Sequence, residues 1–433
     1  MLRRKISKQL KEWKNNPDRM SLIVQGARQV GKTFTINEFA KSSYDNYIHI
    51  NFEETPEHMA VFDGNLDAGT IFTNLTLRFP NTDIVPGKTL VFLDEVQKCP
   101  SAITALKFLT IDKRFDWIAS GSLLGIGYKN VSSFPVGYVN RLEMHSLDFE
   151  EYLWAYGYDD EKINFIRDSF INNEPLPNGI HDVFMKLFRE HIVVGGMPKV
   201  VYEFITSRNY ASVMELQRAI IEDYKADIIK YADKREKPKI RECFLSIPKQ
   251  LAKENKKFQY SVVEKKGTAS KFAGSLMWLY DAGIVNFCHN LSQPELPMEG
   301  NSINSQFKVY MRDTGLLMAM LDDGAQSDII EGNLGIYKGA IYENIVADIF
   351  TKLGRKLYYF EYRNQIEMDF IIRYKGKATA IDVKAAENSK SKSMANIIKN
   401  WGVAQGIKLS SRNIEGNDVV CNYPLYMAVF LGM

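Results

Sequence analysis

The stretch Gly26-Ala27-Arg28-Gln29-Val30-Gly31-Lys32-Thr33 fits the pattern G-x-x-x-x-G-K-[ST] and joins two segments of different period. SLIVQ (21–25) before it is a short apolar run suited to a buried strand. FTINEFAK (34–41) after it carries apolar residues at Phe34, Ile36 and Phe39, compatible with a helix. Strand, glycine loop, helix is the setting in which such a loop cradles phosphate. A chain of 433 residues meets the bare pattern by chance on the order of once or twice in a hundred. The setting lowers that further. Glycines let main-chain N–H groups approach phosphate oxygens, and the helix N-terminus adds positive potential. Gly26, Ala27, Arg28, Gln29, Val30, Gly31 and Phe34 would surround the phosphates. Lys32 would bring an ammonium to the β and γ phosphates, and the Thr33 hydroxyl would ligate Mg²⁺.

Such a loop needs a second element. TLVFLDEVQ (89–97) is an apolar run ending in Asp94-Glu95. In a parallel sheet it reads as a central strand whose carboxyl end meets the phosphate loop. Asp94 would hold the magnesium, directly or through water, and Glu95 would orient and deprotonate an attacking water. The alternative is that the two carboxylates cap the following helix. DWIASGS (116–122) makes a third strand, and Ser120 or Ser122 would place a hydroxyl between the two motifs to sense the γ-phosphate. Serines after strands are also ordinary turn residues. YIHINFEE (47–54) is a fourth strand candidate, and strands alternating with helices imply a parallel sheet. No N/T-K-x-D stretch of the guanine-reading kind occurs, so ATP is the expected nucleotide. The Asp-Glu pair favours hydrolysis over transfer to a bound hydroxyl.

Composition narrows the remaining classes. The length suggests roughly two to four domains. A net charge of +3 does not argue for bulk nucleic-acid binding, so any DNA contact is local. Cys99, Cys243, Cys288 and Cys421 lie far apart and the six histidines show no HxxxH spacing, which argues against a disulfide scaffold or structural zinc. MLRRKISKQLKEWKNN is basic without an apolar stretch, and Leu2, Ile6, Leu10 and Trp13 recur at helical spacing. It reads as a surface helix rather than a signal peptide. No run of about 18 uncharged apolar residues occurs, so no membrane span is expected and the cytoplasm is the default compartment.

GARQVGKT, FLDEVQ, IASGSLLG and LDFEEYL (147–153) together resemble a large family of prokaryotic AAA+-type ATPases that carry a C-terminal domain of unknown function. GGMPKVV (195–201), LYDAGIV (279–285), VYMRDTGLL (309–317), GAIYENIVADIF (339–350) and EMDFII…AIDVKAA (367–386) extend the resemblance over nearly the whole chain. It implies an ATPase core over 1–153, a helical lid over 154–235 and a winged helix over 236–298. One departure stands out. The family has a Gly-Arg before the strand that precedes LDFEEYL, whereas PVGYVNRLE (135–143) has Tyr138 after Gly137. Arg141 is the nearest arginine and the candidate for a finger serving a neighbouring subunit.

Gly195-Gly196 and Pro198 read as a turn between helices. Lys256, Lys257, Lys265, Lys266 and Lys271 cluster in the winged-helix region and would meet phosphates if it binds DNA. Such regions also serve protein contacts alone. QPELPMEGNSINSQ (293–306) has the composition of a linker. In the last segment, 299–433, IEMDFII puts Glu367 and Asp369 on one strand face, and AIDVKAA does the same for Asp382 and Lys384. Adjacent strands would join Asp369, Asp382 and Lys384, with Glu343 from a helix completing the set. Two carboxylates for Mg²⁺ and a lysine to stabilise charge suit phosphodiester cleavage. This resembles the restriction-endonuclease-like PD-(D/E)xK arrangement, with Met368 in place of the proline. The alternative is an ion cluster kept as inactive scaffold or nucleic-acid clamp.

The expectation is an α/β protein: a P-loop NTPase parallel sheet, a helical lid and winged-helix region, then a nuclease-like α/β domain. ATP and Mg²⁺ are the expected cofactors. DNA, a protein partner or further copies of the chain are the candidate partners. Hydrolysis coupled to a conformational change, an ATP-controlled switch with negligible turnover, and an ATP-gated nuclease are the three readings.

Overall fold

The computed structural model describes residues 2–122, 135–253, 256–322, 324–332, 338–363, 365–384, 392–417 and 419–432. The ends of IASGSLLG and AIDVKAA fall outside these. The chain divides into two compact units, residues 3–146 with 281–283, and residues 147–280 with 284–433.

The first unit runs α1 (Ile6–Asn15), β1 (Ser21–Gly26), α2 (Lys32–Ser43), β2 (Asn46–Asn51), α3 (Ala68–Arg78), β3 (Thr89–Asp94), α4 (Pro100–Asp112), β4 (Asp116–Ser122) and β5 (Val139–Glu143). Its strands form one all-parallel sheet in the order β2-β3-β4-β1-β5. Every residue of β3 is buried, as a strand covered on both faces requires. Ile23, Ile50, Val91, Leu93 and Ala119 pack against Leu75 and Leu106 from the helices. The apolar positions of α1 are buried as their spacing predicts. The α2 pattern is only partly kept: Ile36 and Phe39 are buried, but Phe34 is exposed.

The second unit opens with α5 (Phe149–Ala155), started by a capping box in which Asp148 and Glu151 satisfy each other's backbone N–H. That motif is the LDFEEYL stretch. It belongs to this compact unit, which begins at 147. Helices α6 (Asp160–Asn172), α7 (Asn178–Val194), α8 (Pro198–Ser207) and α9 (Tyr210–Tyr231) fill the expected helical region. Next come α10 (Lys237–Leu251), α11 (Tyr260–Val263) and α12 (Ala269–Asp281), followed by the antiparallel hairpin β6 (Val285–Leu291) and β7 (Ser302–Met311). The expected linker 293–306 therefore ends in strand. Pairing with β6 overrides the loop-like composition of 302–306, and the 298/299 boundary cuts the hairpin.

After α13 (Thr314–Ala319), α14 (Ala325–Glu331) and α15 (Lys338–Lys352), β8 (Leu357–Tyr362) pairs parallel with β6, and β9 (Ile366–Met368) pairs with β8. The chain then changes sheets at Asp369. β10 (Phe370–Tyr374) and β11 (Lys377–Val383) form a hairpin in a second, mixed sheet of order β10-β11-β12-β14-β13. That sheet is completed by β12 (Gln405–Ser410), β13 (Glu415–Gly416) and β14 (Val420–Pro424), with α16 (Lys392–Trp401) preceding β12. IEMDFII is thus two strands of two sheets rather than one.

The glycine motifs of this unit join at one backbone crossing. The Leu147 N–H donates to the Gly196 carbonyl at 2.7 Å, and the Gly196 N–H donates to Asp313 Oδ2 at 2.8 Å. Lys352 donates to the Leu147 carbonyl at 3.0 Å, and Asn344 brackets Met311 from both sides. These stretches, which carry no evident chemistry, are joined by one hydrogen-bonded backbone crossing.

His191 lies beside it, fully buried against Tyr152 and Phe149 at ring distances of 4.8 and 5.7 Å. Burial, then the Lys352 charge, pushes its pKa down to about 3. A depressed base contributes stability that is whole above its ordinary 6.5 and is lost as pH falls toward 3. Wild type should therefore lose stability relative to His191→Gln by about 1.4 kcal/mol per pH unit across that window. Urea midpoints of both proteins at pH 7, 5 and 4 would read this, and a difference independent of pH would contradict it.

Candidate functional site

The phosphate loop is the turn from β1 into α2. Gly26 closes β1 against the end of β5, where an added Cβ would stand 2.2 Å from the Met144 carbonyl. Gly31 has φ of 94°, a left-handed backbone suited to glycine, and caps α2. Arg4 ties the loop from outside, donating to the carbonyls of Val30 at 3.0 Å and His145 at 2.6 Å. Lys32 starts α2 and turns its ammonium onto the carbonyls of Gly26 at 2.9 Å and Ala27 at 2.8 Å. Burial pulls the Lys32 pKa down to about 8, against the opposing pull of Glu95 and Asp94.

Strand order sets the next contacts. Because β4 lies between β1 and β3, Ser120 stands between the loop and Asp94. The Asp94 carboxylate is 1% exposed and gathers four groups. Oδ2 accepts from the Thr33 hydroxyl at 2.7 Å and lies 3.5 Å from His49 Nε2. Oδ1 accepts from the Ser120 hydroxyl and from the Glu95 N–H at 3.1 Å. Burial would raise the Asp94 pKa, but the hydrogen bonds from His49, Ser120 and Thr33 hold it below its ordinary value. Glu95 has φ of 52°, uncommon for a residue with a Cβ and costing on the order of 1–3 kcal/mol. Its carboxylate accepts from the Gln97 amide.

Among the expected site residues, Lys32, Thr33, Asp94, Glu95 and Ser120 come together. Ser122 lies opposite Gly26 at the start of the loop. Arg28, Gln29 and Val30 form the loop body, and exposed Phe34 sits on the first turn of α2. Arg141 is on edge strand β5 opposite Ile23, three residues back from Gly26. Sequence reasoning missed Arg4, His49 and Gln97. Gln97 was within reach, being two residues past Glu95 in the same motif. His49 is set by strand neighbours, its ring stacked on Phe92 at 4.7 Å, and carries no local signal.

The second expected cluster lies in the other unit. One step beyond the ladder pair Phe370–Ile381, Asp369 stands opposite Asp382. Asp369 Oδ2 accepts from the Val383 N–H at 2.7 Å, and Lys384 pairs with Asp382 Oδ1 at 2.6 Å. Burial, then the Glu343 charge, raises the Asp369 pKa well above the usual carboxylate range. Glu343 does not close the set as a free ligand. It accepts from Lys256, and from the Tyr310 hydroxyl at 3.1 Å, and faces Lys308 at 3.8 Å. Among the described residues, no group of three or more His, Cys, Asp or Glu is arranged to hold a metal ion.

The expected basic patch is also largely spent within the unit. Lys256 pairs with Glu343, Lys257 with Glu361 and Lys271 with Glu264, which leaves Lys265 and Lys266 exposed. Among the described residues no helix is long and apolar enough to cross a membrane.

Residues 18–153 match a family described as an AAA domain. The first unit accordingly carries an AAA-type domain with the P-loop parallel-sheet fold. Residues 185–327 match a domain of unknown function (DUF8612), and residues 338–426 match another (DUF4143). No curated protein matches this chain. Many solved structures are similar at low identity, among them the following three. The Walker-type ATPase paby2304 of Pyrococcus abyssi is 12% identical with a TM-score of 0.44, the match covering 74% of this chain and 96% of that one. The Orc1 protein of Aeropyrum pernix in complex with DNA is 13% identical with a TM-score of 0.29, covering 76% and 90%. AMPPCP-bound DnaA from Aquifex aeolicus is 15% identical with a TM-score of 0.28, covering 63% and 86%. Scores this low transfer no residue roles.

Proposed function

We propose that the chain binds ATP with Mg²⁺ at the 26–33 loop, hydrolyses it, and couples the nucleotide state to a change of conformation acting on a nucleic-acid or protein partner. The observation that carries this reading is the convergence of Lys32, Thr33, Ser120 and ionised Asp94 beside Glu95. The donor set fits magnesium, since an anionic carboxylate and a hydroxyl already touch at 2.7 Å. Thr33 and Asp94 would hold the ion, which would supply positive charge to offset that of the phosphates.

The residues divide the work. Loop N–H groups and the α2 N-terminus hold the phosphates. Lys32 leaves its two carbonyls for the β and γ oxygens. The Phe34 ring is open to a base. Glu95 takes a proton from water as its oxygen attacks the γ-phosphorus, and the bond to the β-bridging oxygen breaks to leave ADP and phosphate. Gln97 holds the Glu95 carboxylate, and His49 and Ser120 hold Asp94. ATP uptake by wild type and Lys32→Ala is the test. An ATP-controlled switch with negligible turnover is the same site without the Glu95 step.

A second reading is favoured by one observation: Asp382, 2% exposed, has no hydrogen-bond partner for Oδ2 among the described residues and stands opposite Asp369. A cation between them would satisfy both and suit metal-assisted phosphodiester cleavage gated by ATP, with Lys384 stabilising charge. Titrating Mn²⁺ into wild type and Asp382→Asn decides whether an ion binds there.

A further inference from the structure

Arg4 is 8% exposed and forks between two backbone carbonyls of the first unit. Nη1 donates to Val30 at 3.0 Å and Nη2 to His145 at 2.6 Å. The His145 end is anchored on the sheet: β5 pairs parallel with β1, and the Met144 N–H donates to the Gln25 carbonyl at 2.7 Å. The Val30 end lies in the phosphate loop. Helical bonding in α2 begins one residue later, where the Thr35 N–H donates to the Gly31 carbonyl at 3.0 Å. The Val30 carbonyl thus precedes the helix ladder and is met by a side chain from outside the motif.

We infer that Arg4 is a positioning residue of the phosphate loop: by holding the Val30 carbonyl outward, it keeps the Gly31 N–H turned to the phosphates. This rests on the nucleotide reading above and adds a residue that the loop motif does not contain. The Val30–Gly31 peptide is trans, so its C=O and N–H point in opposite directions. A carbonyl fixed on Arg4 therefore fixes the N–H on the far side. Glycine takes φ of either sign at little cost, so Gly31, at φ of 94°, lets this peptide plane turn over. With the plane reversed, the loop would present an oxygen where an anion is to sit. Arginine fits both ends of the contact. Its planar fork meets two carbonyls at once, whereas an ammonium is a single point charge. A charged donor also makes a bond roughly twice as strong as a neutral one. The part of the ligand that senses Arg4 is then the polyphosphate tail, not the base.

The experiment measures binding of ATP and of inorganic tripolyphosphate to the full chain by calorimetry, in wild type, Arg4→Ala and Arg4→Lys. Arg4→Ala should weaken both ligands by the same factor, about ten- to a hundredfold. Added methylguanidinium should restore part of that loss, and methylammonium should not. Equal affinity in wild type and Arg4→Ala overturns the inference and leaves the nucleotide reading standing. So does a loss confined to ATP, or one that methylguanidinium leaves unchanged, which would make Arg4 a strut of the fold alone. Wild type that binds neither ligand overturns both. Should Arg4→Ala fail to fold, Arg4→Lys decides: weaker binding of both ligands supports the inference, and wild-type affinity overturns it.

Discussion

Glu95→Gln should bind ATP within a few-fold of wild type and turn it over about two to four orders of magnitude more slowly. The amide keeps the size and the hydrogen bond to Gln97 but cannot take a proton from water. Asp94, Thr33 and Lys32, which are proposed to hold the nucleotide, are untouched by the change. The left-handed backbone at Glu95 points the same way, because a strained residue at a strand end is retained only where the surroundings hold it. Phosphate release under saturating ATP and Mg²⁺, beside calorimetric ATP affinity, separates the two effects. Equal turnover in both proteins would remove Glu95 from catalysis and leave the switch reading.

The other large effect is on folding. Gly196→Ala places a methyl 2.1 Å from the Leu147 carbonyl and 2.8 Å from its nitrogen. Both neighbours are backbone, so no side chain can swing aside. The same crossing holds Asp313, whose carboxylate caps α13 through the Leu316 N–H. Pushing Gly196 away breaks its bonds to Leu147 and Asp313 together. The loss should be about 3 kcal/mol or more. Urea unfolding of the full chain, followed by tryptophan fluorescence, would register it. A midpoint unchanged from wild type would show that the backbone there yields easily.

The meeting of the glycine loop with Asp94 and Glu95 was legible because its signals are local. A strand, a glycine loop and a helix adjoin in sequence, and an apolar run ending in Asp94-Glu95 can occupy only a strand end. Ser120 followed from the same logic. His49 and Arg4 were not legible, because each reaches its target through sheet order or chain return rather than spacing. Lys308 shows the limit most clearly. A lone lysine in FKVYM reads as a solvent-facing strand position, and only the neighbouring carboxylates of Glu343 and Glu367 explain its burial. Sheet order was not legible for a related reason: β6 pairs with both β7 and β8, which follow it in sequence, so one sheet crosses the 298/299 division.

Calorimetric titration of ATP with Mg²⁺ into folded wild type and Lys32→Ala asks most directly whether the loop grips a triphosphate. Saturable one-site uptake by wild type, lost in a Lys32→Ala protein of equal thermal stability, is the predicted result. No heat of binding from well-folded wild type, or equal affinity in both proteins, would contradict it.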